Sequence, residues 1–411
     1  MSVGLKGPRA ALAVLTLLNL LNYLDRFVLS SLVESLKSSE LRLTDTQLGA
    51  LATGFILVYM LTSPIFGTLG DRKGRPRLLA AGVAIWSVAT ALGGVARSFA
   101  GLFAARASVG IGEAAYGTIA PALLADHFPI QKRGRVFAVF FAAIPIGAAL
   151  GYVLGGLVDS RYGWRAAFFL AGIPGIVLAI LCLGLSDPPR GAQDPGSPVH
   201  GAMPRGGAWD SYMHLLRNRP YVLTVLGYGA YTFALGGMAF WAPAFLERAR
   251  GMPRSQATVQ FGAIVVVTGF VGTFGGGWLG DWSLKRSKNA YLSVSGWATV
   301  IAAPAALVGF TAKSNSISMA GIVVTELLLF ASTGPINSAI VNLVEPGERA
   351  TALALSILAI HLLGDVPSPP LIGAISDRTS LQTAFLILPV AIAISGAIWL
   401  YAARRGDRMA S

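Results

Sequence analysis

Four ionisable side chains stand inside apolar runs in the first third of the sequence. Asp25 and Arg26 share one run; Arg106 and Glu113 share another. An ionised group inside a bilayer is costly, so each needs an opposite charge or an aqueous cavity. A carboxylate beside an arginine keeps its charge, whereas one taken out of water and away from the arginine takes up a proton. Adjacent helical residues point about 100° apart, so Asp25 and Arg26 do not simply pair, and each needs a partner elsewhere. Arg106 and Glu113 are seven residues apart, two turns along one helix face, with Gly110 between them. These four residues read as a proton-coupled switch. Asp25 and Glu113 take up protons, Arg26 and Arg106 hold their charged forms, and a movement separating Glu113 from Arg106 admits a proton. The competing reading is a static ion-pair network.

Three further groups could do work. Asp71, Arg75 and Asp126 fall at the ends of apolar runs. An arginine between two carboxylates can tie helix ends together, and helix C-termini attract cations; the plainer reading is topology-setting charge. His361, Gly364 and Asp365 precede Pro367, Pro369 and Pro370. Three prolines in four residues cannot continue a regular helix, so a hinge is expected, with Asp365 as a possible cap and His361 as a possible packing residue. Glu326 lies in mid-run and is a cavity candidate. Tyr116, Phe233, Phe240 and Trp241 could wall a substrate path, although aromatics in such runs more often meet lipid or neighbouring helices. Gly110-Ile-Gly112-Glu-Ala-Ala115 fits a dinucleotide pattern but follows no strand and opens no helix. No metal cluster, nucleophile triad or nucleotide loop is present, so no cofactor or metal is expected and the chain does not read as an enzyme. An ion gradient is the expected source of work.

The elements that must position these residues are membrane spans. The chain has 411 residues, 54% hydrophobic and 12% charged, about half the charge of a soluble domain. Apolar runs of the length needed to cross a bilayer predict helices over 10–34, 45–69, 77–97, 100–125, 135–158, 165–186, 220–246, 257–280, 289–311, 315–343, 350–375 and 381–403. Strand-like alternation is missing. The expected fold is an all-α membrane protein of about twelve transmembrane helices in two six-helix repeats. The first run carries Asn19, Asn22, Asp25 and Arg26 and reads as a retained helix. Cys182 stands alone in an apolar run and reads as packing.

The net charge of +13 does not read as nucleic-acid binding, because the basic residues are scattered over short loops. Lysines and arginines in alternate loops outnumber those in the others roughly two to one, which puts both termini in the cytoplasm. Residues 188–210 are rich in proline and glycine and read as a flexible linker. The chain is thus divided into an N-terminal bundle, 1–187, a cytoplasmic linker, 188–214, and a C-terminal bundle, 215–411. Gly67-Thr-Leu-Gly-Asp71 is echoed by Gly277-Trp-Leu-Gly-Asp281, each followed four residues later by a basic residue, Arg75 and Lys285. Such a parallel repeat places a substrate cavity between the halves near mid-membrane.

Gly67-Thr-Leu-Gly-Asp71-Arg72-Lys-Gly74-Arg75-Pro-Arg77 resembles the signature between the second and third helices of the major facilitator superfamily. Arg106-Ala-Ser-Val-Gly110-Ile-Gly112-Glu113-Ala resembles its fourth-helix motif. A narrower resemblance, to the spinster-like subfamily, rests on Asn22-Tyr-Leu-Asp25-Arg26-Phe27, on Trp241-Ala-Pro243, and on His361-Leu-Leu-Gly364-Asp365 with Ser368-Pro369, Leu371-Ile-Gly373 and Ser376-Asp377. The resemblance implies that the first and fourth helices line the central cavity and that Asp71, Arg75 and Asp126 latch the cytoplasmic side. It also implies sphingoid or lysolipid substrates, as in eukaryotic members. Tyr152 stands where antiporters of the superfamily usually have proline, which weakens an antiport reading.

The expected function is proton-coupled secondary transport of a small amphipathic molecule, a lysolipid or sphingoid-like lipid. A proton-linked drug or organic-anion carrier is the alternative within transport; a passive lipid scramblase or a membrane receptor is the alternative class. Protons, substrate and the bilayer are the expected partners, the expected unit is a monomer, and the expected site is a bacterial inner membrane.

Overall fold

The computed structural model describes residues 7–189, 192–193, 208–287, 289–344 and 349–410. Among them every regular element is helical. The first half runs α1 (Pro8–Ser31), α2 (Val33–Ser38), α3 (Asp45–Arg72), α4 (Arg75–Gly93), α5 (Phe99–His127), α6 (Ile130–Tyr162) and α7 (Trp164–Leu183). A short α8 (Ala208–Arg217) leads into α9 (Arg219–Arg250), α10 (Arg254–Leu284), α11 (Ala290–Thr311) and α12 (Asn315–Asn342). The last elements are α13 (Arg349–Ile360), a π-helical turn (His361–Asp365), α14 (Ser368–Arg378), α15 (Leu381–Phe385) and α16 (Ile387–Ala410).

Eleven helices among the described residues are long and apolar enough to cross a membrane. The helix α5, which carries Arg106 and Glu113 and corresponds to the predicted span 100–125, is not among the eleven. Only helices and closed barrels satisfy their backbone within lipid, and the outer faces match that solvent: Leu61, Phe274 and Trp278 are 73%, 72% and 69% exposed.

Local chemistry sets the helix ends. Thr44 and Gln47 form a reciprocal capping box at the start of α3, satisfying two of its free N–H groups. Ser98 and Asn218 cap α5 and α9. The break at Leu32 was not expected; the predicted span 10–34 is two helices, α1 and α2. The linker expected over 188–214 is helical from Ala208 onward. In α8, Leu215 is buried against Tyr221, Val225, Ile340 and Ala352, so its apolar face docks instead of remaining solvated.

The molecule forms two compact units. One comprises 1–201 and 252–262; the other comprises 202–251 and 263–411. In the first, α5 packs on α3 and α4, α4 on α7, and α1 on α6. In the second, the corresponding pairs recur as α12 on α11 and α11 on α16, with α9 against α16 and the π turn. Glycines allow the closest approaches. A Cβ on Gly110 would lie 2.5 Å from the Phe55 carbonyl oxygen of α3, and one on Gly151 would lie 2.5 Å from the Leu24 carbonyl oxygen of α1. Small residues at such contacts are how membrane helices come together without a hydrophobic driving force. Tyr152 is buried between the rings of Phe27 and Phe261, at 5.0 and 5.1 Å.

Loops on one side are fastened by Arg165, which donates to the carbonyls of Gly94 and Ala96 at 2.8 and 2.9 Å and to the exposed carboxylate of Glu40. A backbone hydrogen bond and then the Arg165 bond hold the Glu40 carboxyl below its usual range.

Replacing Gly110 by valine forces α5 off α3 and should destabilise the protein by about 1–3 kcal/mol, the usual range for overpacking. Gly275→Ala is the control, because nothing lies within 4 Å of its Cβ position. Thermal melts in detergent should show a lower midpoint for the first variant and none for the second.

Candidate functional site

The helix α1 carries Asp25 and Arg26 on different faces, and both reach α5. Arg106 donates from Nη1 to Asp25 Oδ1 at 3.1 Å, with both side chains at most 3% exposed. Thr90 of α4 donates to the other oxygen, Asp25 Oδ2, at 2.5 Å. Arg26 donates from Nε to Glu113 Oε2 at 2.7 Å. The pairs are therefore crossed between helices. The expectation that Glu113 is held by Arg106 on its own helix is corrected: Arg106 is spent on Asp25, and Arg26 is the hydrogen-bonded partner of Glu113. The register of α1 on α5 decides this, and sequence spacing within α5 could not reveal it.

The two pairs differ in their surroundings. The Asp25 carboxylate accepts at both oxygens in a closed pocket. Glu113 is fully buried, yet its Oε1 has no hydrogen-bond partner. The Arg26 side chain is 26% exposed. Its guanidinium lies 5.1 Å from each of the rings of Tyr23, Phe55 and Tyr59. An arginine on aromatic faces is only weakly hydrated and available to an anion.

Arg75, at the start of α4, is buried and donates from Nη1 to Asp126 Oδ2 at 2.5 Å. It also binds Asp187 twice, from Nε to Oδ1 at 2.7 Å and from its backbone N–H to Oδ2 at 3.0 Å. A further bond reaches the Pro188 carbonyl at 2.6 Å. The side chain of Asp71 lies outside the described residues. Asp187 was missed because its sequence context, Asp-Pro-Pro, reads only as the start of a linker. Within the same unit, Ser35 donates to Asp159 Oδ2 at 2.5 Å, and Arg254 reaches Ser35 and Asp159, the latter at 3.2 Å. Nothing in the spacing of Ser35, Asp159 and Arg254 signals this cluster.

Two residues considered for a substrate path are packed. Tyr116 donates its hydroxyl to the Leu15 carbonyl at 2.9 Å and is 3% exposed. Trp241 is fully buried and donates to the Pro369 carbonyl at 3.0 Å. Ahead of the three prolines the helix widens instead of breaking: Val366 N–H bonds back five residues to His361 O at 3.0 Å. That π turn places His361 Nδ1 2.9 Å from Asp365 Oδ1, with both side chains part-exposed. Asp365 therefore meets His361 and makes no helix cap. Glu326 is buried in α12. No cluster of metal-ligating side chains occurs among the described residues.

Residues 15–364 match the family model of the Major Facilitator Superfamily. The chain belongs to that superfamily. Within it the chain is spinster-like. It is 36% identical over 396 residues to protein spinster homolog 3 of Danio rerio, covering 92% of this chain and 79% of the relative. It is 33% identical over 426 residues to the probable sphingolipid transporter spinster homolog 2 of Arabidopsis thaliana, covering 95% and 86%. The fold is also that of a crystal structure of a bacterial homologue of the human lysosomal transporter spinster, with TM-score 0.87, 24% identity and 97% of each chain covered. Spinster-like proteins of this superfamily are multi-pass membrane transporters, not enzymes.

The Arg75 cluster makes a stability test of this spinster-like chain. Asp126→Asn with Asp187→Asn leaves a buried guanidinium without a described carboxylate, and breaking a buried pair costs about 3–5 kcal/mol. Each single change should cost markedly less, because the other carboxylate remains; chemical denaturation of the purified variants reads the difference.

Proposed function

We propose that this transporter is proton-coupled and moves an amphipathic lipid with an anionic or zwitterionic headgroup, of lysolipid or sphingoid type. The reading is carried by the pairing of Glu113 with Arg26. One member is a fully buried carboxylate with a free oxygen; the other is a part-exposed arginine among aromatic rings. A headgroup phosphate that binds Arg26 competes with Glu113 for the same donors. Once Arg26 turns to the headgroup, Glu113 is a buried charge without its partner, and a proton relieves that cost. Substrate binding and proton binding thus support each other, with the linkage reciprocal between the two sites. Asp25 is the second proton candidate, held by Arg106 and Thr90.

The name of the Arabidopsis relative, a probable sphingolipid transporter, favours a lipid over a drug or organic anion. Alternating access would be rocking of 1–187 against 215–411 about a mid-membrane site, with Arg75, Asp126 and Asp187 as the cytoplasmic tie. We place the protein in a bacterial inner membrane as a monomer, with both termini cytoplasmic on the charge bias of its loops.

The test is flux in proteoliposomes with and without an imposed pH gradient, using lysophospholipids and sphingoid-base phosphates selected by thermal shift. Wild type should respond to the gradient. Glu113→Gln and Asp25→Asn should each abolish that response while melting as cooperatively as wild type. Equal flux without a gradient would identify a scramblase, and no flux a receptor. Unchanged pH dependence in both variants would sink the coupling assignment.

A further inference from the structure

The C-terminal unit buries an ionisable side chain that the reading above leaves unused. Glu326 lies in α12 and is 1% exposed. It stands eleven residues beyond Asn315, the first residue of that helix. At 1.5 Å per residue this is roughly 16 Å of rise, about half the thickness of a bilayer core. Its Oε2 has no hydrogen-bond partner, and no ion pair involves it among the described residues. An unpaired ionised carboxylate at that depth is among the least favourable states for a side chain.

Its surroundings offer no counter-charge. The rest of α12 has no ionisable residue. The helix α11 has only Tyr291, near its start, and α10 has none between Arg254 and Asp281. The helix α13 has none after Arg349. From α9, Tyr231 is close enough to interact electrostatically with Glu326, but its hydroxyl already donates to the Leu329 carbonyl at 2.7 Å and meets Thr333 Oγ1 at 3.1 Å. Tyr228 lies beside Tyr231, with ring centroids 5.7 Å apart. Among the described residues no cation pairs with the carboxyl.

The place in the fold is informative. The helix α12 is the fourth long helix of its half, as α5 is of the first. Each has a proline in its second half, Pro121 eight residues after Glu113 and Pro335 nine residues after Glu326. Where α5 has Arg106, seven residues before its glutamate, α12 has Met319. The repeat therefore puts a carboxyl at a corresponding place along the fourth long helix of each half and pairs it with arginines in only one.

We propose that Glu326 is a further proton-binding site, the C-terminal counterpart of Glu113. Neighbouring helices close around α12: a Cβ on Gly272 of α10 would lie 2.6 Å from the Leu327 carbonyl oxygen, and one on Gly321 would lie 2.6 Å from the Gly309 nitrogen of α11. The site needs no volume, only a carboxyl that binds a proton and releases it when the helices around it open to water. The inference rests on the proton-coupled reading for its role in transport, but the site itself is testable without substrate.

Purified full-length protein would be titrated with pH and followed by infrared difference spectroscopy, which reads the carbonyl stretch of a protonated carboxyl. In Asp25→Asn with Glu113→Gln, the buried aspartates Asp45, Asp126 and Asp159 keep their cationic partners, and a protonated-carboxyl band from Glu326 should remain and convert to carboxylate as pH rises. Adding Glu326→Gln should remove that band and one titrating proton per molecule. If the combined variant does not fold, wild type against Glu326→Gln alone gives the same single-band difference. A band that never titrates, or no difference between the variants, overturns the proposal. Flux insensitive to a pH gradient together with a titrating Glu326 would sink the coupling reading and leave the site standing.

Discussion

A charge inside a bilayer cannot stand alone, and the N-terminal unit is organised around that constraint. Two carboxylates and two arginines lie within α1 and α5, and each ion pair bridges the two helices. The crossed arrangement fixes α1 in rotation and height, because a shift of one residue would exchange Asp25 for Arg26 opposite Arg106 and set like charges together. Other bonds hold the same register. Asn19 donates to the Phe140 carbonyl of α6 at 2.8 Å, and Tyr116 to that of Leu15. Gly147 and Gly151 of α6 let it approach the α1 backbone at Leu20 and Leu24. Close packing is thus a condition for the ion pairs, since only a tightly placed helix delivers a short arginine–carboxylate contact away from water.

The fold was legible to the extent that it depends on one-dimensional pattern. Apolar runs of bilayer length gave the spans, and the echo of Gly67–Asp71 in Gly277–Asp281 gave the repeat. The charged residues Asp25, Arg26, Arg106 and Glu113 could be singled out because apolar runs make them conspicuous. Who pairs with whom could not be read, since that depends on how helices about eighty residues apart meet. Thr90 was invisible for the same reason: a threonine in an apolar span has no signature until a carboxylate sits opposite it. Asp187 and the helix at Ala208–Arg217 were hidden within a segment whose prolines and glycines suggested only a linker. The prolines after Asp365 did signal irregularity, but the form it takes, a wider turn joining His361 to Asp365, depends on packing. There α9 presses close, and a Cβ on Gly364 would lie 2.9 Å from the Phe233 backbone nitrogen.

The two ion pairs of the N-terminal unit are unequal, and their inequality suggests a division of labour. Asp25 has both oxygens bonded and is closed off with Arg106, so a proton reaches it only after those bonds open. Glu113 has one oxygen free and a partner open at its edge, which suits exchange. A headgroup that approached Arg106 would have to break a buried pair and a threonine bond. One that approaches Arg26 meets a guanidinium already a quarter exposed, framed by rings that can also take apolar chain. The aromatic frame and the single-oxygen contact therefore point in the same direction. They make Arg26 the residue whose allegiance can change at the smallest cost, and Glu113 the one that must respond when it does.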